Sequence, residues 1–280
     1  MGAAPALVIE DVAKRYDTPT GVLIALERIS FDVTPGEFVC IIGPSGCGKS
    51  TLFNIVGGLD RDYEGRVTVD GESIRGPHPA IGMVFQEEST FPWRSVQDNV
   101  AFPLEVRGIP KKERLERARH FLALVGLSGF ERHYPVQLSG GMRQRVAIAR
   151  TLVSEPRLLL MDEPFGALDE QTRLLLGEAV LQIQRALAQT TLLITHSITE
   201  AVQLADRVVL MTYRPGRVKR IVRIDLPRPR TADIAGSAAF GRCVAEIWGD
   251  LREEASLGLR DDEARTREAG WRGRGERSEP

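Results

Sequence analysis

Gly43-Pro44-Ser45-Gly46-Cys47-Gly48-Lys49-Ser50 sets Gly43 and Gly48 with four residues between them and follows the second with a lysine and a hydroxyl. Residues of these types at this spacing bind phosphate. Glycines let the backbone curl so that successive N–H groups point inward at oxygen atoms. A helix beginning near Lys49 adds its positive end to the cradle. Lys49 reaches β- and γ-phosphates, and the Ser50 hydroxyl is a ligand for Mg²⁺. The order predicted is strand, loop, helix, because Phe38-Val39-Cys40-Ile41-Ile42 before the loop is a continuous apolar run suited to a strand buried on both faces.

Two further segments supply chemistry. Leu158-Leu159-Leu160-Met161 ends in the adjacent carboxylates Asp162 and Glu163. Two acids can simply terminate a strand, but beside a phosphate loop Asp162 is placed to hold Mg²⁺ through water and Glu163 to polarise an attacking water. Leu138-Ser139-Gly140-Gly141-Met142-Arg143-Gln144-Arg145 opens a helix with a second Ser-Gly-Gly turn, another set of backbone donors plus a hydroxyl. On its own this is an ordinary glycine-rich cap. With a phosphate loop elsewhere it implies another ligand or a site shared between subunits. Cys47 sits beside Lys49 at a helix N-terminus, surroundings that lower a thiol's pKa and predict alkylation that nucleotide blocks; the alternative is an inert filler.

The elements that must position these groups alternate. Stretches such as Ile29-Ser30-Phe31-Asp32-Val33 predict half-buried strands from Leu7 to Val33. Arg66–Val69 predicts another, closed by Asp70-Gly71. Apolar side chains at Leu115, Ala118, Leu122 and Val125 predict a helix, and Val146, Ala149 and Val153 a second, so that about 90–155 reads as a helical insert. Strand character returns at 158–161, 192–195 and 208–211. A helix over about 171–188, with Leu175, Ala179, Ile183 and Ala186 as its apolar stripe, lies between the first two. Ser197-Ile198-Thr199-Glu200 has capping-box spacing for a further helix. The fold class expected is α/β with a mostly parallel sheet, an N-terminal antiparallel β part and the helical insert. Pro227-Arg228-Pro229-Arg230 punctuates the end of the core. A short extension over 227–251 includes a helix near Val244 and Ile247-Trp248, and 252–280, dense in charge with little to bury, reads as a disordered tail.

Composition narrows the class. The 280 residues carry 37 Lys+Arg against 38 Asp+Glu, a net charge of -1, without the global basic footprint of a nucleic-acid binder. No apolar run approaches the roughly 18 residues of a membrane span, and residues 1–10 lack the pattern of a secretion signal. Cys40, Cys47 and Cys243 form neither a disulfide framework nor metal spacing, which predicts a cytosolic setting.

In order along the chain stand Tyr16, the loop 43–51, Gln86, the Leu138–Arg145 segment, Asp162-Glu163, Ala167-Leu168-Asp169 and His196. This series, over about residues 7–226, resembles the ATP-binding-cassette (ABC) family, whose core is a P-loop NTPase fold. The resemblance implies ATP and Mg²⁺ as ligands, with Gly43, Pro44, Ser45, Gly46, Cys47, Gly48, Lys49, Ser50 and Thr51 around the phosphates and Tyr16 stacked on adenine. It implies that Ser50, Gln86 and Asp162 attend the metal, and that Glu163, His196 and Gln86 act on the γ-phosphate and the attacking water. Ser139, Gly140 and Gly141 would grip the ATP of the other protomer, and Asp169 would lie at the dimer seam. Met142 departs from the Gln of many members; methionine brings no donor, so Ser139 and the two glycines carry that surface.

A finer resemblance is to the ATPase subunits of nitrate/sulfonate/taurine-type importers, on Met142, Phe91-Pro92-Trp93, Arg214-Pro215-Gly216-Arg217 and Asp225-Leu226-Pro227-Arg228-Pro229-Arg230. The last two segments also read as a surface turn and a chain exit. It implies a dimer with a second copy or a related ATPase subunit, membrane-spanning permease subunits, an indirect extracytoplasmic solute-binding protein, no nucleic acid, and a place at the cytoplasmic face of the membrane. Two other classes compete. A soluble ABC ATPase acting on nucleic acid or ribosomes fits poorly with near-neutral charge and the absence of a long coiled coil or tandem cassette. A small-molecule P-loop kinase leaves the Ser-Gly-Gly turn unexplained.

Overall fold

Strand β3 (Phe38–Ile42) is buried along its whole length, as its unbroken apolar run requires. The computed structural model describes residues 4–19, 21–87, 89–166 and 168–275. Before β3, β1 (Leu7–Thr18) and β2 (Gly21–Val33) form an antiparallel pair. With β4 (Glu64–Val69) and β5 (Glu72–Ser73) they make a four-stranded sheet ordered β2-β1-β4-β5. This is the antiparallel N-terminal part expected.

The second sheet has six strands ordered β10-β9-β3-β8-β7-β6. Its parallel members are β6 (Ile81–Val84), β7 (Leu158–Asp162), β8 (Thr190–Thr195), β9 (Arg207–Met211) and β3. Strand β10 (Val218–Arg223) pairs antiparallel to β9 at the edge. Parallel pairing delivers the ends of β3, β6, β7 and β8 to one edge, where ligands of such sheets bind. Side chains of β3 alternate between two cores. Phe38, Cys40 and Ile42 join the helices on one face; Val39 and Ile41 join the N-terminal sheet on the other.

Helix α1 (Lys49–Val56) follows β3 directly. The helical insert holds α2 (Val96–Val106), α3 (Lys111–Leu124) and α4 (Gly140–Leu152), and its apolar residues belong to the first core alone. Helix α2 starts at Ser95, whose hydroxyl accepts from the Asp98 N–H at 3.1 Å. The helix expected over 171–188 is α5 (Glu170–Ala186), but its buried stripe is Leu176, Val180 and Ile183. Leu175 is exposed, so the expected register was offset on the helix surface. Helix α6 (Ile198–Leu204) is capped by Ser197, which accepts from the Glu200 N–H at 3.3 Å. The reciprocal half of the box is absent: the Ser197 N–H is taken by the Thr195 hydroxyl, and the buried Glu200 carboxylate turns inward to Thr195 and Arg173.

The C-terminal region departs most from expectation. After β10 the chain enters α7 (Ala238–Gly275), which buries Phe240, Ile247 and Leu251 in the first core. The disordered tail expected from 252 is instead helix through Gly275, and Glu254 is buried within it. Helix α7 pairs charges with β10 on both sides of residue 252: Lys219 pairs with Glu254 at 2.7 Å, and Arg220 pairs with Glu246 and Asp250 at 2.5 and 2.8 Å. The end of the expected tail, 276–280, lies outside the described residues.

Candidate nucleotide-binding site

The loop between β3 and α1 turns through left-handed backbone at Gly46 (φ 73°) and Gly48 (φ 95°). A Cβ on Gly48 would also lie 2.8 Å from the Ala25 carbonyl oxygen. Only glycine satisfies both constraints. Lys49 is buried and curls under the loop, donating to the carbonyls of Gly43 (2.8 Å) and Pro44 (3.0 Å). Gly48 is the N-cap of α1 and has no side chain with which to cap it, so that helix end suits an anion.

At the tip of β7, Asp162 is buried and accepts a hydrogen bond from the Ser50 hydroxyl. Burial pushes its carboxyl pKa up and the neighbouring Glu163 adds to the rise, against Ser50 and Lys49. A hydroxyl and a carboxylate side by side below a phosphate loop are hard oxygen donors of the kind Mg²⁺ takes, with room for nucleotide oxygens to complete the set. The residues fit the ion.

Glu163 has φ 44°, a left-handed conformation costly for a side-chain-bearing residue. Its peptide is pinned, N–H to the Ile194 carbonyl (2.9 Å) and C=O from the Gly166 N–H (3.1 Å). Its carboxylate meets the side chains of two other strand ends: Gln86 Nε2 donates to Oε2 at 3.3 Å, and His196 Nδ1 lies 3.0 Å from the same oxygen. The three residues expected to act on the γ-phosphate and water therefore stand together. They line a cleft of about 620 Å³ whose other wall is Lys49, Ser50, Thr51 and Tyr16. The half-exposed Tyr16 ring stands at its mouth, with its hydroxyl 3.5 Å from Thr51 Oγ1.

Ser139, Gly140, Gly141 and Asp169 do not line that cleft. Ser139 caps α4 by accepting from the Met142 N–H at 3.3 Å. A Cβ on Gly141 would sit 2.5 Å from Leu168 Cδ2, so the α4 start packs against the segment leading to Asp169. Asp169 caps α5 through the Thr172 N–H (2.9 Å) and hydroxyl (2.7 Å), bonds that hold its carboxyl below the usual range. Met142 packs its side chain on the first core. Ala167 lies outside the described residues. The two glycine-rich helix starts, at Gly48 and at Ser139, thus lie in different places on one chain.

Cys47 corrects an expectation. Its thiol is fully buried, and burial pushes its pKa up despite the opposing charge of Lys49. Desolvation outweighs the nearby cation, so the loop cysteine is a filler and not a reactive thiol.

Two residues of the site have no role in the motif series. Arg214 lines the cleft and donates from Nε to the Gly46 carbonyl at 2.9 Å. Gly216 lies against the same loop: a Cβ there would be 2.1 Å from the Cys47 carbonyl oxygen. The Arg214–Arg217 turn, readable as a surface turn, backs the phosphate loop. The glycine between two arginines was the one available signal.

Comparisons with known proteins bear on the family and the fold. A family profile described as ABC transporter matches residues 26–166. An uncharacterized ABC transporter ATP-binding protein of Methanocaldococcus jannaschii is 52% identical over 224 residues, 80% of this chain and 84% of that protein. The nitrate import ATP-binding protein NrtD of Synechocystis sp. is 47% identical over 252 residues, 88% and 95% of the two chains. The aliphatic sulfonates import ATP-binding protein SsuB of Bacillus cereus is 44% identical over 223 residues, 80% and 88% of the two. Among solved structures, a dimeric ATP-binding cassette in a post-hydrolysis state, bound to ADP and Pi, matches with a TM-score of 0.71 at 32% identity, covering 79% of this chain and 100% of that one.

Proposed function

This chain belongs to the ABC transporter family, and on that footing we propose that it is the ATP-hydrolysing subunit that energises import of a small anionic solute, of the nitrate, sulfonate or taurine kind, through a separate membrane permease. The observation that carries the reading is the meeting of Gln86, Glu163 and His196 across the cleft from Lys49 and Ser50. No helix among the described residues is long and apolar enough to cross a membrane; in this reading a permease partner would supply the translocation path.

ATP enters with its base against Tyr16 and its phosphates in the loop 43–51. Lys49 exchanges the Gly43 and Pro44 carbonyls for β- and γ-phosphate oxygens, a stronger charge-assisted pairing. Ser50, Asp162 and Gln86 would hold Mg²⁺, which when bound would supply positive charge against the phosphates. Glu163 accepts the proton of the attacking water, and Gln86 and His196 fix the direction of its carboxylate. The Ser139-Gly140-Gly141 surface grips the γ-phosphate held by a second copy or a related subunit, with Asp169 at the seam. Nucleotide charge shared by two positive surfaces favours the closed pair, and phosphate loss reopens it.

The exposed ring of Trp93, 73% accessible, follows the Gln86 loop and suits contact with the permease at the cytoplasmic face. An extracytoplasmic solute-binding protein would act through the permease. The test is ATP turnover by the assembled importer carrying Glu163→Gln. A general base contributes about 10²–10⁴-fold, so turnover should fall by at least that lower bound. Parent-like turnover would remove Glu163 from this role, and copurification with nucleic acid instead of membrane subunits would displace the transport reading.

A further inference from the structure

We propose that Arg214 is a positioning residue of the nucleotide site and that helix α7 seats it, so that the C-terminal helix sets the affinity for ATP. The inference rests on the nucleotide reading of the cleft and adds a control on it. Gly46 adopts φ 73° and has no side chain of its own to hold the Gly46–Cys47 peptide. Arg214 Nε fixes the carbonyl of that peptide at 2.9 Å. Peptide planarity turns the Cys47 N–H to the opposite side, where it closes on the Pro44 carbonyl at 3.4 Å. One guanidinium thus sets the rotation of a peptide whose neighbours must face phosphate.

Arg214 does not hold itself. Its side chain is 28% accessible, and Nη1 lies 3.9 Å from Asp261 Oδ2 on α7. The same carboxylate oxygen accepts from the Tyr213 hydroxyl at 2.6 Å. Two helical turns upstream, Glu254 accepts from the Tyr213 N–H at 2.8 Å and from Lys219 Nζ at 2.7 Å. Between them, a Cβ on Gly258 would lie 3.3 Å from the Tyr213 ring and 3.9 Å from Pro44 Cβ of the phosphate loop. Positions 254, 258 and 261 are spaced by four and three, one face of a helix. That face is spent on Tyr213, Arg214 and the loop. A partner that pulled α7 away would free the Gly46 peptide without moving Lys49, Ser50 or Glu163 directly.

The experiment is equilibrium binding of a fluorescent ATP analogue with Mg²⁺ to the full chain, together with KM, kcat and melting temperature. Variants are Arg214→Ala, Asp261→Ala, their combination, and Gly258→Leu, which wedges α7 off Tyr213. Loss of a charge-assisted hydrogen bond predicts Kd about tenfold higher for Arg214→Ala, with kcat at saturating ATP unchanged. Asp261→Ala and Gly258→Leu should raise Kd by about three- to fivefold, and the double variant should bind no worse than Arg214→Ala alone. Parent-like Kd in Arg214→Ala, or additive losses in the double variant, would overturn the inference and leave the ATP site standing. A parent chain that fails to bind the analogue would overturn both.

Discussion

Replacing Gly216 with alanine adds one methyl group at the worst place on the back of the phosphate loop. The new Cβ would lie 2.1 Å from the Cys47 carbonyl oxygen, where carbon and oxygen pack at about 3.3–3.6 Å, so one partner must retreat by about 1.2 Å. Met211 Cε, at 2.9 Å, is the end of a flexible chain and can yield; the backbone oxygens of Cys47 and, at 3.1 Å, Ala25 cannot. Gly216 is also tied by its own peptide groups, donating to the Ala25 carbonyl (3.1 Å) and accepting from the Glu27 N–H (2.9 Å). Either those bonds give way, at about 1 kcal/mol each, or the phosphate loop moves. Overpacking of this kind costs about 1–3 kcal/mol, a melting temperature lower by several degrees in a chain of this length. A displacement near 1 Å in a phosphate cradle should raise KM for ATP by about tenfold or more. Thermal melting and ATPase kinetics measure both, with Gly249→Ala as the control, since a Cβ there meets nothing within 4 Å. That control should melt slightly higher, by up to about 1 kcal/mol of helix propensity. If Gly216→Ala keeps the parent's KM and melting temperature, the turn does not back the loop as described.

Burial raises the Asp162 pKa, so the folded chain retains a proton that the unfolded chain releases from 3.8 upward, and stability is lost as pH rises through the raised value. Asp162→Asn should therefore melt higher than the parent at pH 7, with the gap closing as pH falls towards 3.8, while Mg²⁺-dependent hydrolysis is lost; a lower melting point at pH 7 contradicts the electrostatics. Native protein treated with maleimide should leave Cys47 unmodified with or without ATP, and denaturant should expose it, as peptide mass mapping would read. Arg230 is buried and donates to the carbonyls of Val202, Ala205, Ile224 and Leu226, tying the Pro-rich exit to the end of α6. Arg230→Ala should cost about 3 kcal/mol by denaturant melting, because several buried carbonyls lose their donor at once.

What the sequence made legible was local. The phosphate loop, the carboxylates ending β7 and the Ser139 cap each declare themselves in a handful of neighbouring residues, and parallel pairing then brings the strand ends to one edge. Contacts between distant segments left no such mark. Arg214 meets Gly46 across most of the chain, and neither residue announces the other. Strand β10 was hidden because Lys219 and Arg220 interrupt its apolar pattern; their charges are matched by Glu254, Glu246 and Asp250 on α7. Within the segment from 252, read as too charged to order, Glu254 finds Lys219 and Asp261 meets Tyr213 and Arg214, contacts that the local sequence does not reveal. Leu175 misled in the opposite sense, an apolar residue on an outward face of α5.

Strand β3 feeds alternate side chains into separate hydrophobic masses, one shared with the helical insert and one with the N-terminal sheet. A slip of one residue would exchange the two sets and misplace every one of them. The strand is therefore a keel: the point from which the phosphate cradle springs stays put in either direction of load. Swinging the helical lobe repacks a single side of that keel. On the function proposed above, the surface that would grip another protomer's fuel rides on the side that repacks, while the loop that would grip the chain's own springs from the strand itself.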